Sequence, residues 1–329
     1  MTAPLSPRIG IVVIGRNEGG RLAACLASLG GMSARTVYVD SGSTDGSVEK
    51  AQAMGALTVR LDMSVPFTAA RARNAGFEAL ETAFPDADYV QFVDGDCTLD
   101  SAWLSRAEAF LQAHEDMAVV CGRRRERHPE RSVYNRLCDL EWDTPVGEAT
   151  ECGGDALIRI AAFRDVGGYA DDLIAGEEPE MCVRLRARGW RIWRLDAEMT
   201  LHDANMLHFG QWWRRAMRAG HAFAQVSSRH AASPFGIWKR NARRALLWGG
   251  VLPALILLAA ILIHPALLLL FLIYPVQVVR MALRSSPRNR DSWIYAAFAV
   301  LAKFPEMQGA ARFYINRVLK RANTLIEYK

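Results

Sequence analysis

At 329 residues the chain can hold one full α/β domain plus an appendage, with a sizeable buried core. It is 51% hydrophobic and 23% charged, without a low-complexity tract or internal repeat, which excludes a disordered tail protein or a solenoid. The formal charge of +5 is modest and unevenly placed. Much of it flanks a greasy C-terminal stretch, so an anionic membrane surface is expected and a nucleic-acid partner is not.

Six cysteines (Cys25, Cys97, Cys121, Cys138, Cys152 and Cys182) are scattered without Cys-x-x-Cys or zinc spacing, so reduced thiols in a cytosolic domain are expected. Met1 to Arg8 has no apolar run, so no secretory signal is expected and the globular part is placed in the cytoplasm.

The first half alternates strand and helix patterns. Ile9 to Ile14 is a continuous apolar β-rich run, as a strand buried on both faces would be. A helix follows from Arg21 to Leu29, then a strand from Thr36 to Val39 that ends in Asp40-Ser41-Gly42-Ser43-Thr44-Asp45-Gly46. A helix over Ser47–Met54, a strand over Leu57–Leu61 and a helix over Thr68–Ala83 come next. Tyr89 to Val93 is another buried strand and runs straight into Asp94-Gly95-Asp96. This rhythm predicts an α/β fold with a mainly parallel sheet covered by helices. Ligands of such sheets sit beyond the carboxyl ends of the strands, where Asp40 and Asp94 both fall.

From about Ala245 the character changes. Ala245 to Ile263 is apolar and uncharged, about 19 residues or ~28 Å as a helix, enough to cross a bilayer. His264-Pro265 interrupts it and Ala266 to Val279 continues apolar. Arg240, Arg243 and Arg244 precede the pair; Arg280, Arg284, Arg288 and Arg290 follow it. Basic clusters at both ends predict an even number of crossings, as a hairpin turning near His264 or a re-entrant loop. Phe304 to Arg321 reads as an interfacial amphipathic helix or an ordinary packing helix, and a third crossing over Trp293–Ala302 stays open. The domains expected are 1–230, globular; 231–283, the membrane segment with its apolar pair at about 245–279; and 284–329, interfacial helices.

Chemistry centres on Asp94-Gly95-Asp96. Two carboxylates one residue apart after an apolar strand can both turn outward if the chain kinks at Gly95. They would suit Mg²⁺ or Mn²⁺ completed by phosphates and water; a plain surface turn is the alternative. Asp40 is placed to accept hydrogen bonds from a base or ribose, as the acid of dinucleotide sites does, whereas helix capping fits Asp45 or Ser43 better. The opening turn Gly15-Arg16-Asn17-Glu18-Gly19-Gly20 lacks Gly-x-Gly-x-x-Gly spacing, which argues against a nicotinamide or flavin enzyme. His202, after an apolar strand over Trp190–Leu195, is a candidate third metal ligand and His208 its rival; an ordinary hydrogen-bonding role is the alternative for either.

Taken in order, these motifs resemble the family 2 glycosyltransferases of the GT-A nucleotide-diphospho-sugar fold. They are the strand ending Ile14-Gly15-Arg16-Asn17-Glu18, the Val39–Gly46 turn, Ala72-Arg73-Asn74-Ala75-Gly76 and Asp94-Gly95-Asp96. Gly153-Gly154-Asp155 followed by Val166-Gly167-Gly168-Tyr169 resembles the family's acceptor-side segment, and Gly176-Glu177-Glu178-Pro179 its second acidic motif. The likeness spans about Ile9 to Gly220. It implies a nucleotide-diphospho-sugar donor, a UDP-sugar being the family's frequent choice, bound by Asn17, Asp40, Arg73 (or Arg71, toward the diphosphate), Asp94 and Asp96. It also implies a divalent cation, Mn²⁺ or Mg²⁺, on Asp96 with Asp94, and Glu178 as the base, where the family usually has aspartate. Gly154, Asp155 and Glu177 would lie toward the acceptor, with Glu177 in support. Gln211-Trp212-Trp213-Arg214-Arg215 resembles the Gln-x-x-Arg-Trp element of polysaccharide synthases, but Arg215 stands where Trp would be. Trp212 and Arg214 would serve the acceptor or the membrane interface. The expectation is an inverting transferase on the cytoplasmic face of a bacterial inner membrane, acting on a lipid-linked or saccharide acceptor among membrane lipids. The rivals are a nucleotide-sugar-binding scaffold subunit without catalysis and a processive polysaccharide synthase.

Overall fold

The computed structural model describes residues 8–321; the segment read for a secretory signal and the last eight residues lie outside them. Two compact units form, one from the chain up to His128 with Glu141–Ala204, the other from Pro129–Leu140 with the chain from Asn205 onward. The division at Ala204 differs from the boundary at 230 read from the sequence.

The first unit is built on one sheet. Strands β1 (Ile9–Gly15), β2 (Thr36–Asp40), β3 (Leu57–Arg60) and β4 (Tyr89–Asp94) are linked by helices α1 (Gly20–Ser28), α2 (Ser47–Ala53) and α3 (Ala69–Ala83). They pair in parallel in the order β3-β2-β1-β4, Ile14 standing opposite both Val39 and Asp94. Because each helix returns the chain to the same end, the carboxyl termini of β1, β2 and β4 share one edge. The α3 helix begins at Thr68, whose hydroxyl accepts the Arg71 amide. It lies flat on β1 and β2 because residue 76 is glycine: a Cβ there would collide with Val12 and come within 2.8 Å of Val39.

Beyond β4 the sheet becomes mixed, so the parallel expectation describes only its first half. The later elements, in the first unit except for α5, are β5 (Cys97–Leu99), α4 (Trp103–Ala113), β6 (Met117–Glu126), α5 (Val133–Glu141), β7 (Gly147–Ala149), β8 (Ala156–Arg159), α6 (Ile160–Asp165), α7 (Glu177–Ala187) and β9 (Arg191–His202). Strand β8 runs antiparallel between β4 and β6; β9 runs parallel to β6 but antiparallel to β5 and β7. β9 is much longer than the predicted strand over Trp190–Leu195 and carries His202 at its end. In the core the buried Gln91 of β4 is satisfied by the Trp103 indole N–H at 2.8 Å, as a polar group inside a sheet must be.

The second unit is helical: α8 (Phe209–Arg229), α9 (Lys239–Leu246), a π-helical turn at Leu247–Val251, α10 (Leu252–Leu262), a 3₁₀ segment (Pro265–Leu272), α11 (Ile273–Ser285), α12 (Arg290–Leu301) and α13 (Lys303–Val318). Lys239–Leu262 and Pro265–Ser285 are each long and apolar enough to cross a membrane. Their residues face outward, Ile261 being 79% exposed. Glycines let backbones meet here. A Cβ on Gly220 would run into the Glu306 carbonyl, one on Gly309 into that of Met217, and one on Gly249 into that of Lys303. Small residues at helix crossings are how apolar helices pack when side-chain burial is not the driving force.

Candidate active site

The edge where β1, β2 and β4 end gathers most of the predicted groups. Gly95 donates its amide to the Ile14 carbonyl at 2.8 Å, and a Cβ there would lie 3.1 Å from that same oxygen. A small residue therefore lets the chain turn tightly against β1, separating the surroundings of Asp94 and Asp96.

Asp94 faces guanidiniums. Arg73, one helical turn before Gly76 and only 3% exposed, donates from Nη2 to Asp94 Oδ1 at 2.8 Å and from Nη1 to Glu177 Oε1 at 2.7 Å. Arg124 of β6 lies 3.5 Å from Asp94 Oδ2. Gly154 forms the surface over which these groups converge: a Cβ there would stand 2.5 Å from Arg73 Nη2 and 3.2 Å from both Asp94 Oδ2 and Glu178 Oε1. Arg73, expected to face a diphosphate, is instead spent on the two acids. Arg71 is no substitute, since its guanidinium binds the carbonyls of Asp62, Val65 and Pro66.

Asp155 is wholly buried and fully used. It accepts the Asp94 amide at 3.0 Å, the Thr200 hydroxyl at 2.9 Å and the Arg124 guanidinium at 2.7 Å. It was expected to lie toward an acceptor; with no exposed face it instead fixes Asp94 and Arg124.

Asp96 faces an imidazole. His202 Nε2 lies 3.4 Å from Asp96 Oδ1, because Cys97 and His202 are opposed in the β5–β9 pair. Its Nδ1 lies 3.8 Å from Glu126 Oε2, and Trp142 stands edge-on at 4.8 Å between ring centres. Ligating atoms of Asp96, Cys97 and His202 lie within 4.8 Å of one another. The rival His208 belongs to the second unit, where it caps α8 in a reciprocal bond with Gln211.

The loops after β1 and β2 are tied together. Asn17, at φ 55°, accepts the Thr44 amide at 2.8 Å on its side chain and donates its own amide to Ser43 Oγ at 2.9 Å. Asp40 Oδ2 accepts the amides of Gly42 and Ser43 while Oδ1 takes the Tyr38 hydroxyl. Asp45, considered for a helix cap, accepts both the amide and the hydroxyl of Ser47, while the N-cap position of α2 is Gly46. Trp212 and Arg214 lie in the second unit. There Trp212 is buried against Phe209 and Phe298, with no face left for a sugar or lipid, and Arg214 is exposed.

Residues 10–164 match the model of the family described as glycosyl transferase family 2. That stretch of the chain is similar to the family. Over 202 residues the chain is 27% identical to the succinoglycan biosynthesis protein ExoA of Rhizobium meliloti, covering 56% of this chain and 60% of that one. Over 245 residues it is 27% identical to the pre-mycofactocin glycosyltransferase of Mycobacterium tuberculosis, covering 70% of this chain and 49% of that one. It therefore spans only about half to three-fifths of these relatives' lengths. Among solved structures, the mannosyltransferase PcManGT of Pyrobaculum calidifontis, in complex with GDP-Man and Mn²⁺, shares the fold. The TM-score is 0.66 at 16% identity, over 95% of this chain and 90% of that one. The fold is thus GT-A, with apolar helices toward the C-terminus.

The electrostatics of this sheet edge divide its acids. For Glu178, burial and the neighbouring Glu177 raise the pKa from 4.5 to about 8, Arg73 opposing them only in part. Burial works against ionisation of Asp155 too, but Arg124 and the Asp94 amide outweigh it and hold its pKa below the usual value. Burial would also discharge Arg73, yet Asp94 and Glu177 keep it firmly cationic. The Cys97 thiol is pushed well up by burial. Sequence reasoning passed over Arg124, Glu126 and Trp142, whose ring lies under Arg124 at 5.4 Å as well as beside His202. The one signal for them was an apolar strand continuing into Arg123-Arg124-Arg125-Glu126 near the sheet's ligand-binding edge.

Proposed function

We propose that the chain is a membrane-attached, inverting glycosyltransferase that takes a sugar from a nucleotide diphosphate donor with the help of a divalent cation. The observation that carries the reading is the convergence of Glu178, Asp94 and Arg73 on Gly154 at the sheet edge where the nucleotide of this fold class binds.

The donor set fits a hard cation. Asp96 offers a carboxylate and His202 an imidazole, and phosphate oxygens and water would complete an ion such as Mn²⁺ or Mg²⁺. Asp94, with both oxygens facing guanidiniums, suits a supporting place better than a direct ligand. A bound cation would supply Lewis-acid stabilisation of the charge growing on the departing diphosphate. The Pyrobaculum calidifontis mannosyltransferase that shares this fold, in complex with GDP-Man and Mn²⁺, supports the donor class and the ion.

The rest follows from the chain's own groups. Glu178, once ionised, accepts the proton of an acceptor hydroxyl as that oxygen attacks the anomeric carbon from the face opposite the diphosphate. A carboxylate with a pKa near 8 is a stronger base than an ordinary one, which suits a weakly acidic alcohol. Arg73 and Asp155 hold the acids in place. Asn17 and Asp40 shape the loops that would receive the nucleoside. Lys239–Leu262 and Pro265–Ser285 supply the membrane attachment, on the cytoplasmic face of an inner membrane, with a lipid-linked or envelope saccharide as acceptor. The likeness to a succinoglycan biosynthesis protein supports that setting.

The test is donor turnover by the purified full chain with Mn²⁺ and a panel of UDP- and GDP-sugars, comparing wild type with Asp96→Asn and Glu178→Gln. Both variants should lose transfer; if both turn over donor like wild type, the site assignment is wrong.

A further inference from the structure

A cavity of about 250 Å³ opens in the first unit beside β6 and β9, and its lining shares no residue with the site above. Arg123 and Arg125, on either side of the active-site Arg124, line it together with Arg106 and Arg194. Its acids are Asp143, Asp196 and Glu198.

The cavity comes from an irregularity in the sheet. Cys121 pairs with Arg194 but Arg123 pairs with Glu198, so β9 carries extra residues through Leu195–Ala197. Gly122 makes room, since a Cβ there would lie 2.7 Å from both the Ala197 carbonyl and the Trp103 ring. Bulges of this kind re-aim side chains and recur beside binding sites.

Charge is unevenly satisfied within it. Arg125 and Glu198 close on each other through two bonds of 2.7 Å. Arg123 and Arg194, only 6% and 3% exposed, both approach Asp143, at 3.3 and 3.7 Å, and that side chain is 65% exposed; Arg123 also donates from Nη1 to the Arg124 carbonyl. Arg194 Nη1 binds the Leu195 carbonyl, while its buried Nε has no hydrogen-bond partner. A buried guanidinium N–H left unmet is costly, and planar guanidinium forks match the oxygens of phosphate.

We propose that this cavity is a second ligand site, which takes a phosphate group as the free ion or as the monoester of a small metabolite, between Arg123 and Arg194. Asp143 is then the competitor that the incoming anion displaces toward solvent.

Calorimetric titration of the full chain with inorganic phosphate and with glycerol 3-phosphate tests this. Wild type should bind both. Arg194→Gln should weaken binding at least roughly tenfold, the scale of one lost charge-assisted hydrogen bond. Asp143→Asn, at a side chain 65% exposed, should tighten it severalfold and leave donor turnover unchanged, its folding checked by circular dichroism. It carries the test alone if Arg194→Gln does not fold. Phosphate bound in the donor site would ignore both substitutions, so equal affinity in all three proteins overturns the proposal, as does an absence of binding to wild type. Vesicles containing phosphatidic acid distinguish the source. A dependence on Arg194 seen for vesicles and not for phosphate or glycerol 3-phosphate would assign the arginines to a lipid headgroup and overturn the small-ligand site.

Discussion

Asp94 and Asp96 stand one residue apart, yet the first faces two guanidiniums and the second an imidazole. On the arginine side every described charge is answered: Arg73 by Asp94 and Glu177, Arg124 by Asp155. A network satisfied in this way is rigid and has little capacity left for a ligand. On the histidine side, Asp96 and His202 approach at 3.4 Å with their donor atoms grouped as a cation would need. The pair of acids that looks like a single motif in the sequence thus faces two different sets of partners.

The sharpest way to break that division is through the base that borders the arginine side. Glu178→Gln should cut transfer by roughly 10²–10⁴-fold, the usual contribution of a positioned general base, while leaving Mn²⁺ affinity near wild type. Next is the arginine side itself. Asp155→Asn removes the partner of a buried Arg124 and should destabilise the fold by about 3–5 kcal/mol, read as a lowered denaturation midpoint. A loss of activity with unchanged stability would contradict a structural role. On the histidine side, His202→Ala should weaken Mn²⁺ binding by about 10–100-fold, on the scale of changes around bound metals, with the melting temperature of the metal-free protein nearly unchanged.

The smallest effect is in pH. Glu178 must be ionised to act, so turnover should climb with pH and level off above about 8. The stability effect has the opposite sign. The fold favours the protonated acid, so Glu178 lends stability that is full below its unfolded value near 4.5 and is lost as pH rises through about 8. Glu178→Gln should flatten that decline, as chemical denaturation at several pH values would show.

The parallel half of the sheet was legible because each of β1 to β4 is a short, mainly apolar, β-rich run and the first three lead into helix patterns, a local signal. The turns that begin at Asp40 and Asp94 came with it, whereas the acid pair Glu177-Glu178 came only from the resemblance to a family. What the sequence concealed depends on pairing between distant segments. Arg124 meets Asp155 only because β8 inserts antiparallel beside β6, and His202 meets Asp96 only because β5 pairs with the end of a long β9. Neither pairing has a periodicity to announce it. Burial is the other property that residue type alone does not announce. Arg73, Asp155 and Trp212 have the right residue types for ligand contacts, but are enclosed by their own partners.

Manganese binding in the presence of a nucleoside diphosphate, followed by electron paramagnetic resonance on wild type, Asp96→Asn and Glu178→Gln, tests the central claim most directly. Loss of bound Mn²⁺ in Asp96→Asn with retention in Glu178→Gln is the predicted result. Equal binding by all three proteins, or loss in Glu178→Gln alone, would contradict it.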